Sequence, residues 1–136
     1  MKTVLADTYY WIALLNTNGE DYKQVIQFAQ ANPNLKLLTT EPVIDEVLNF
    51  FGSKGSFLRG RAFNLCDRIA SDRTIQLIPH EADLRKSTLT LYRDRLDKGY
   101  SFTDCYSMIV MQRMGIVEVL THDKHFTQEG FSILFP

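Results

Sequence analysis

The chain opens on a brief, β-branched and uninterrupted apolar run, Thr3-Val4-Leu5-Ala6, which predicts a buried strand. Asp7-Thr8 follows, then an apolar run from Tyr9 to Leu15. Thr8 is the expected helix N-cap, and Asn16 to Gly19 supplies a stop. Tyr22, Val25, Ile26 and Ala29 recur at helical spacing, so 22–31 reads as a helix ended by Pro33. Leu35 to Thr39 reads as a second strand. Pro42 suits a first helical turn, where its missing N–H costs nothing, and that helix runs to about Phe51. A further helical pattern covers Phe57 to Ala70, with Phe63, Cys66 and Ile69 among its apolar positions. Ile75 to Ile78 is a third strand, ended by Pro79. Glu81 to about Leu96 is helical, with Leu84, Leu89, Leu91 and Tyr92 apolar. Ser101-Phe102-Thr103-Asp104 has the form of a capping box and starts a helix that ends at Gly115. Ile116 to Leu120 reads as a fourth strand, and Ser132 to Phe135 is a candidate fifth.

Short apolar strands alternating with helices predict an α/β fold: a mostly parallel sheet of four to five strands, flanked by helices on both faces. The 136 residues fit one domain spanning 1–136, and no repeat, low-complexity tract or linker divides them. At 45% hydrophobic and 23% charged residues the chain can build a core, which excludes wholesale disorder. Its 15 basic and 16 acidic residues leave a net charge of -1, which offers no bulk attraction to nucleic acid. No run approaches the roughly 20 apolar residues of a membrane span. Asp7 cuts the first apolar run far short of a signal-peptide core, so a cytoplasmic protein is expected. Cys66 and Cys105 lack metal-site spacing and read as free thiols.

In parallel α/β sheets the site lies beyond the carboxyl ends of the strands. Asp7 directly follows the first strand, and Asp123 lies just past the fourth. Glu46 is one turn into the helix after the second strand, and Asp104 is in the first turn of the helix before the fourth. Singly, each has an ordinary explanation as a cap, a turn residue or a solvated helix position. Together they form a set. In the helix after Pro42, Val43, Ile44, Val47, Leu48, Phe50 and Phe51 form an apolar arc. Glu46 borders that arc, while Asp45 and Asn49 point further outward. Carboxylates held close repel one another, and bound cations relieve the repulsion. Hard oxygen donors suit Mg²⁺ or Mn²⁺, and two such ions can activate water and stabilise the leaving oxygen of a phosphodiester.

These residues also carry a resemblance. The chain resembles the PIN-domain ribonucleases, and among them the VapC-type toxins of type II toxin–antitoxin systems. The likeness rests on Val4-Leu5-Ala6-Asp7-Thr8, Thr40-Glu41-Pro42-Val43-Ile44-Asp45-Glu46-Val47 and Ser101-Phe102-Thr103-Asp104-Cys105-Tyr106-Ser107. It continues in Leu120-Thr121-His122-Asp123-Lys124-His125-Phe126, followed by Gly130-Phe131. By this resemblance Asp7, Glu46, Asp104 and Asp123 are the acidic, metal-binding and catalytic residues, and Thr8 and Thr103 are the supporting hydroxyls beside them. The resemblance implies a PIN-like fold, Mg²⁺- or Mn²⁺-dependent cleavage of RNA, a homodimer and a cognate antitoxin. Alternative readings are an RNA-processing PIN nuclease without an antitoxin, and a non-catalytic PIN-like interaction module. A haloacid-dehalogenase-type phosphatase fits poorly, because Asp7 is followed by Thr8 and Tyr9 instead of completing an Asp-x-Asp motif.

Charge placement adds a weaker clue. Residues 53–98 carry a local charge of +4, between flanks of -3 and -2. Lys54, Arg59 and Arg61 in this segment are candidate RNA-phosphate contacts, or else a solvated helix face. His122 and His125 flank Asp123 and invite a general-base or metal-ligand reading, but carboxylates alone suffice for the chemistry. His80 reads as structural, Tyr9, Tyr10 and Trp11 as core, and the Met108, Met111 and Met114 stripe as core or dimer surface.

Overall fold

The computed structural model describes residues 2–136. In chain order the elements are β1 (Thr3–Ala6), α1 (Thr8–Leu15), α2 (Tyr22–Ala31), β2 (Lys36–Thr40), α3 (Glu41–Phe51) and α4 (Ser56–Ser71). They continue with β3 (Ile75–Ile78), α5 (Ala82–Asp94), α6 (Phe102–Met114), β4 (Glu118–Leu120), α7 (His125–Gln128) and β5 (Ser132–Ile133). The five strands form one sheet in the order β3-β2-β1-β4-β5, and every pairing is parallel.

β1 sits at the centre with Val4, Leu5 and Ala6 fully buried, as expected of a strand covered on both faces. Successive side chains of a strand point to opposite faces, and β1 obeys this. Val4 and Ala6 join a core built with Tyr10, Trp11, Val43, Val47, Leu65 and Ile69 from α1, α3 and α4. Leu5 joins a second core with Leu84, Leu91, Met108, Met111 and Phe126 from α5, α6 and α7. Helices therefore cover both faces, as the alternation of elements predicts.

Helix boundaries follow local chemistry. The Thr40 hydroxyl accepts from the Val43 amide and caps α3, with Pro42 in the first turn. Gly115, left-handed at φ 68°, closes α6 while the Ile116 amide donates to Met111 at 2.9 Å. Three details depart from the sequence reading. Asp7, not Thr8, occupies the N-cap position of α1. The inward arc of α3 is narrower than drawn, because Leu48 and Phe50 are 36% and 40% exposed. In α4 the buried line runs through Ala62, Leu65 and Ile69, leaving Phe63 62% exposed. Among the described residues no helix is long and apolar enough to cross a membrane.

β2 and β3 extend the sheet to one side of β1, and β4 and β5 to the other. The direction of winding thus reverses between β1 and β4, which opens a crevice at their carboxyl ends. Asp7 follows β1 and Thr121 follows β4 at that point, where the Asp7 amide donates to Leu120 O at 3.4 Å.

Candidate active site

The cleft at this switch point is lined by Asp7, Thr8, Tyr9, Glu46, Gly99, Ser101, Asp104, Thr121, His122, Asp123 and His125. All four carboxylates singled out in the sequence are there, delivered by β1, α3, α6 and the segment after β4. No Lys or Arg is among these lining residues.

Each carboxylate is held by a hydrogen bond from a neighbouring residue. Asp7 has an extended backbone at the N-cap of α1, but its side chain makes no capping bond. Instead its Oδ2 accepts from the Thr121 hydroxyl at 2.8 Å. The side chain is 5% exposed, and burial, followed by the charge of Asp104, pushes its carboxyl up to about 7, against the pull of the Thr121 bond. Glu46 Oε1 accepts from the Thr8 hydroxyl at 2.7 Å. The neighbouring Asp45 turns outward and pairs with His80 Nε2 at 2.7 Å.

Asp104 completes a reciprocal cap: its amide donates to Ser101 Oγ at 3.0 Å, and its Oδ2 accepts from the Ser101 amide at 3.2 Å. The structural and chemical readings of this residue are both satisfied, since a carboxylate has about four acceptor positions and the cap uses one. Burial raises the Asp104 pKa most, the Ser101 amide opposes it, and the charge of Asp123 raises it further. Asp123 is fixed by a tight turn. Its amide donates to Thr121 Oγ1 at 3.1 Å, and its Oδ1 accepts from the His125 amide at 2.9 Å.

Thr121 is the residue sequence reasoning passed over. Its fully buried hydroxyl donates to Asp7 and accepts from Asp123, joining positions 114 apart in the chain to the next turn. The available signal was a hydroxyl residue placed directly after a strand and two before an acid. His125, set aside in the sequence, stands with Nδ1 3.5 Å from Asp104 Oδ2 and 3.3 Å from Asp123 Oδ1. That nitrogen is buried and has no hydrogen-bond partner among the described residues. Asp104, Asp123 and His125 each offer a ligand atom, all within 4.8 Å of one another. An orphaned nitrogen facing carboxylates, in a lining without Lys or Arg, fits a divalent cation.

Other expected residues lie elsewhere. Thr103 is buried but does not line the cleft, in contrast to Thr8. Lys54, Arg59 and Arg61 are also absent from the lining. Lys54 lies 4.7 Å over the Phe50 ring, Arg59 donates to Gly52 O at 2.7 Å, and Arg61 lies 5.8 Å over Phe57. His122 lines the cleft, but its Nδ1 is 2.7 Å from Phe135 O. Tyr10 and Trp11 are core, whereas Tyr9 reaches the cleft. Met108 and Met111 are buried and Met114 is exposed.

Strand order, helical cover and the acidic crevice together define a PIN-type α/β fold, that of VapC proteins. The chain is similar to the crystal structure of VapC20 from Mycobacterium tuberculosis, a sarcin-ricin loop cleaving toxin, with a TM-score of 0.82 and 22% identity. The match covers 94% of this chain and 95% of that one. VapBC2 from Rickettsia felis, crystallised bound to a DNA fragment from its promoter, matches at TM-score 0.63 and 14% identity, over 96% of each chain. FitAcB from Neisseria gonorrhoeae matches at 0.61 and 12%, covering 96% of this chain and 95% of that one. No family model matches the sequence, and a comparison with curated proteins finds no match.

Proposed function

We propose that the protein is a divalent-metal-dependent endoribonuclease that hydrolyses RNA phosphodiester bonds, and that it is the toxin of a toxin–antitoxin pair. The observation that carries the nuclease reading is the meeting of Asp7, Glu46, Asp104 and Asp123 around one open cleft without a lining Lys or Arg. Such a set is costly unless protons or cations offset its charge. Its hard oxygen donors suit Mg²⁺ or Mn²⁺. When bound, the ion supplies charge that polarises a phosphoryl oxygen and acidifies water.

The protein's own contribution is positional. Thr8 orients Glu46, Thr121 orients Asp7, the Ser101 cap fixes Asp104, and the turn at Asp123 fixes the fourth acid. Because a carboxylate has about four acceptor positions and these bonds use one each, lone pairs remain for the cleft. Burial and the charge of Asp104 push the Asp7 carboxyl up to about 7 in the absence of a cation, and a bound ion would relieve that repulsion.

Support for the toxin reading is the likeness to VapC20 and the fold shared with VapBC2 and FitAcB. A cognate antitoxin and a homodimer belong to the same reading. Lys54, Arg59 and Arg61 would then contact only RNA that extends beyond the cleft. The test is incubation of purified protein with structured RNAs, one bearing a sarcin–ricin loop, in Mn²⁺ or EDTA, beside Asp104→Asn. Cleavage is expected in Mn²⁺ alone, and the variant should lose on the order of 100-fold in rate. Intact RNA across the panel in Mn²⁺ refutes the proposal.

A further inference from the structure

We propose that His125 is a nitrogen ligand: its Nδ1 completes a cation site with Asp104 and Asp123 and tilts this centre toward Mn²⁺ and away from Mg²⁺. The inference rests on the proposed metal-dependent reading and assigns its one non-oxygen donor.

Spacing comes first. Two donors each about 2.1 Å from one ion, at angles between octahedral and tetrahedral, lie about 3.0–3.4 Å apart. The His125 Nδ1 separation of 3.3 Å to Asp123 falls inside that window, and that of 3.5 Å to Asp104 lies just beyond it, so closure on an ion needs only a small inward shift. A charge-assisted hydrogen bond would draw them to about 2.7–2.9 Å. The nitrogen is shielded from solvent and faces both carboxylates, yet at 3.3 and 3.5 Å it completes no well-formed hydrogen bond to either, an arrangement that a shared cation would improve.

The ring is also aimed. Tyr100 packs against the imidazole at 5.3 Å between centroids. Tyr100 is itself anchored, since its hydroxyl donates to Glu129 Oε2 at 2.9 Å. Arg95 grips the same carboxylate through two bonds of 3.0 and 3.1 Å. Nε2 faces the turn at Gly99, where a Cβ would lie 3.9 Å from it. Packing against this anchored ring restricts the orientation of the imidazole. His122 differs, with its Nδ1 directed to a backbone carbonyl.

An imidazole donor suits transition ions better than Mg²⁺, which takes oxygen ligands and retains its waters. The test is Mn²⁺ titration of the purified full chain, with pulsed EPR of the bound ion. Wild type should show nitrogen modulation that changes in kind when histidine is ¹⁵N-labelled, a readout that needs no variant. His125→Gln should lose the modulation and bind Mn²⁺ about tenfold more weakly, with little change for Mg²⁺, whereas His122→Gln should keep the modulation. Bound Mn²⁺ without nitrogen modulation, or modulation that survives His125→Gln, overturns the assignment and leaves the carboxylate centre standing. Failure to bind Mn²⁺ at all overturns both.

Discussion

Exchanging Asp7 for asparagine removes one charge from the most enclosed acid of the cleft and leaves its shape nearly unchanged. The carboxyl is 5% exposed and titrates at about 7, through burial first and then the charge of Asp104. Set against an ordinary aspartate at about 3.9, the gap corresponds to a destabilisation on the order of 4 kcal/mol once the group is ionised. The sign is fixed by where the proton sits. Below about pH 4 folded and unfolded chains both keep it, and no cost arises. Between there and pH 7 only the folded chain keeps it, so stability falls as pH rises, and above 7 the full cost is present. About 3 kcal/mol of this lies between pH 5 and pH 8. In EDTA, Asp7→Asn should therefore be more stable than wild type at pH 8, by up to about 4 kcal/mol, and much less so at pH 5. For a chain of this size each kcal/mol moves Tm by roughly 3–5 °C. Thermal and urea unfolding of both proteins at the two pH values measures the difference, in which titrations common to both cancel. A variant less stable than wild type at pH 8, or a gap independent of pH, refutes the reasoning.

Removing the hydroxyl behind Glu46 with Thr8→Val should leave the far-UV CD spectrum intact and slow RNA cleavage about tenfold. Thr121→Val deprives Asp7 of a donor and the Asp123 amide of an acceptor. It should cost about 1–3 kcal/mol in urea titration and move the Asp7 carboxyl resonance to a higher pKa by NMR. Trp11 Nε1 donates at 3.2 Å to Thr39 Oγ1, which donates in turn to Ala6 O at 2.9 Å. Thr39→Val should thus cost about 1–3 kcal/mol, while Thr90→Val, on the exposed side of α5, should stay within about 0.5 kcal/mol.

Much of this architecture was written locally. β1, α2 and β3 fall on the residues their apolar periodicity marks out, and the capping box at Ser101 forms as its spacing requires. Asp7, Glu46 and Asp123 were legible because each lies just past a strand or one turn into the following helix. What could not be read locally depends on partners far along the chain. Leu48 and Phe50 belong to the apolar face by projection, but no neighbouring element covers them fully. α7 spans four residues, too few for periodicity to register. The roles of Thr121 and His125 need the strand order, which sets the end of β4 beside that of β1 and brings α7 toward the start of α6. The local spacing of Thr121, Asp123 and His125 gives the turn, but not their approach to Asp7 and Asp104.

The insertion of β4 beside β1, after β2 and β3 have taken the opposite edge, has a temporal meaning. During synthesis the first three strands and six helices emerge before the segment that carries Thr121 and Asp123. Asp7 then lacks its hydroxyl donor, and the crevice lacks a wall. The cleft is completed only when the segment from β4 onward docks beside β1, a contact of long sequence separation. A chain that stops before Thr121 should therefore lack the assembled acidic cleft.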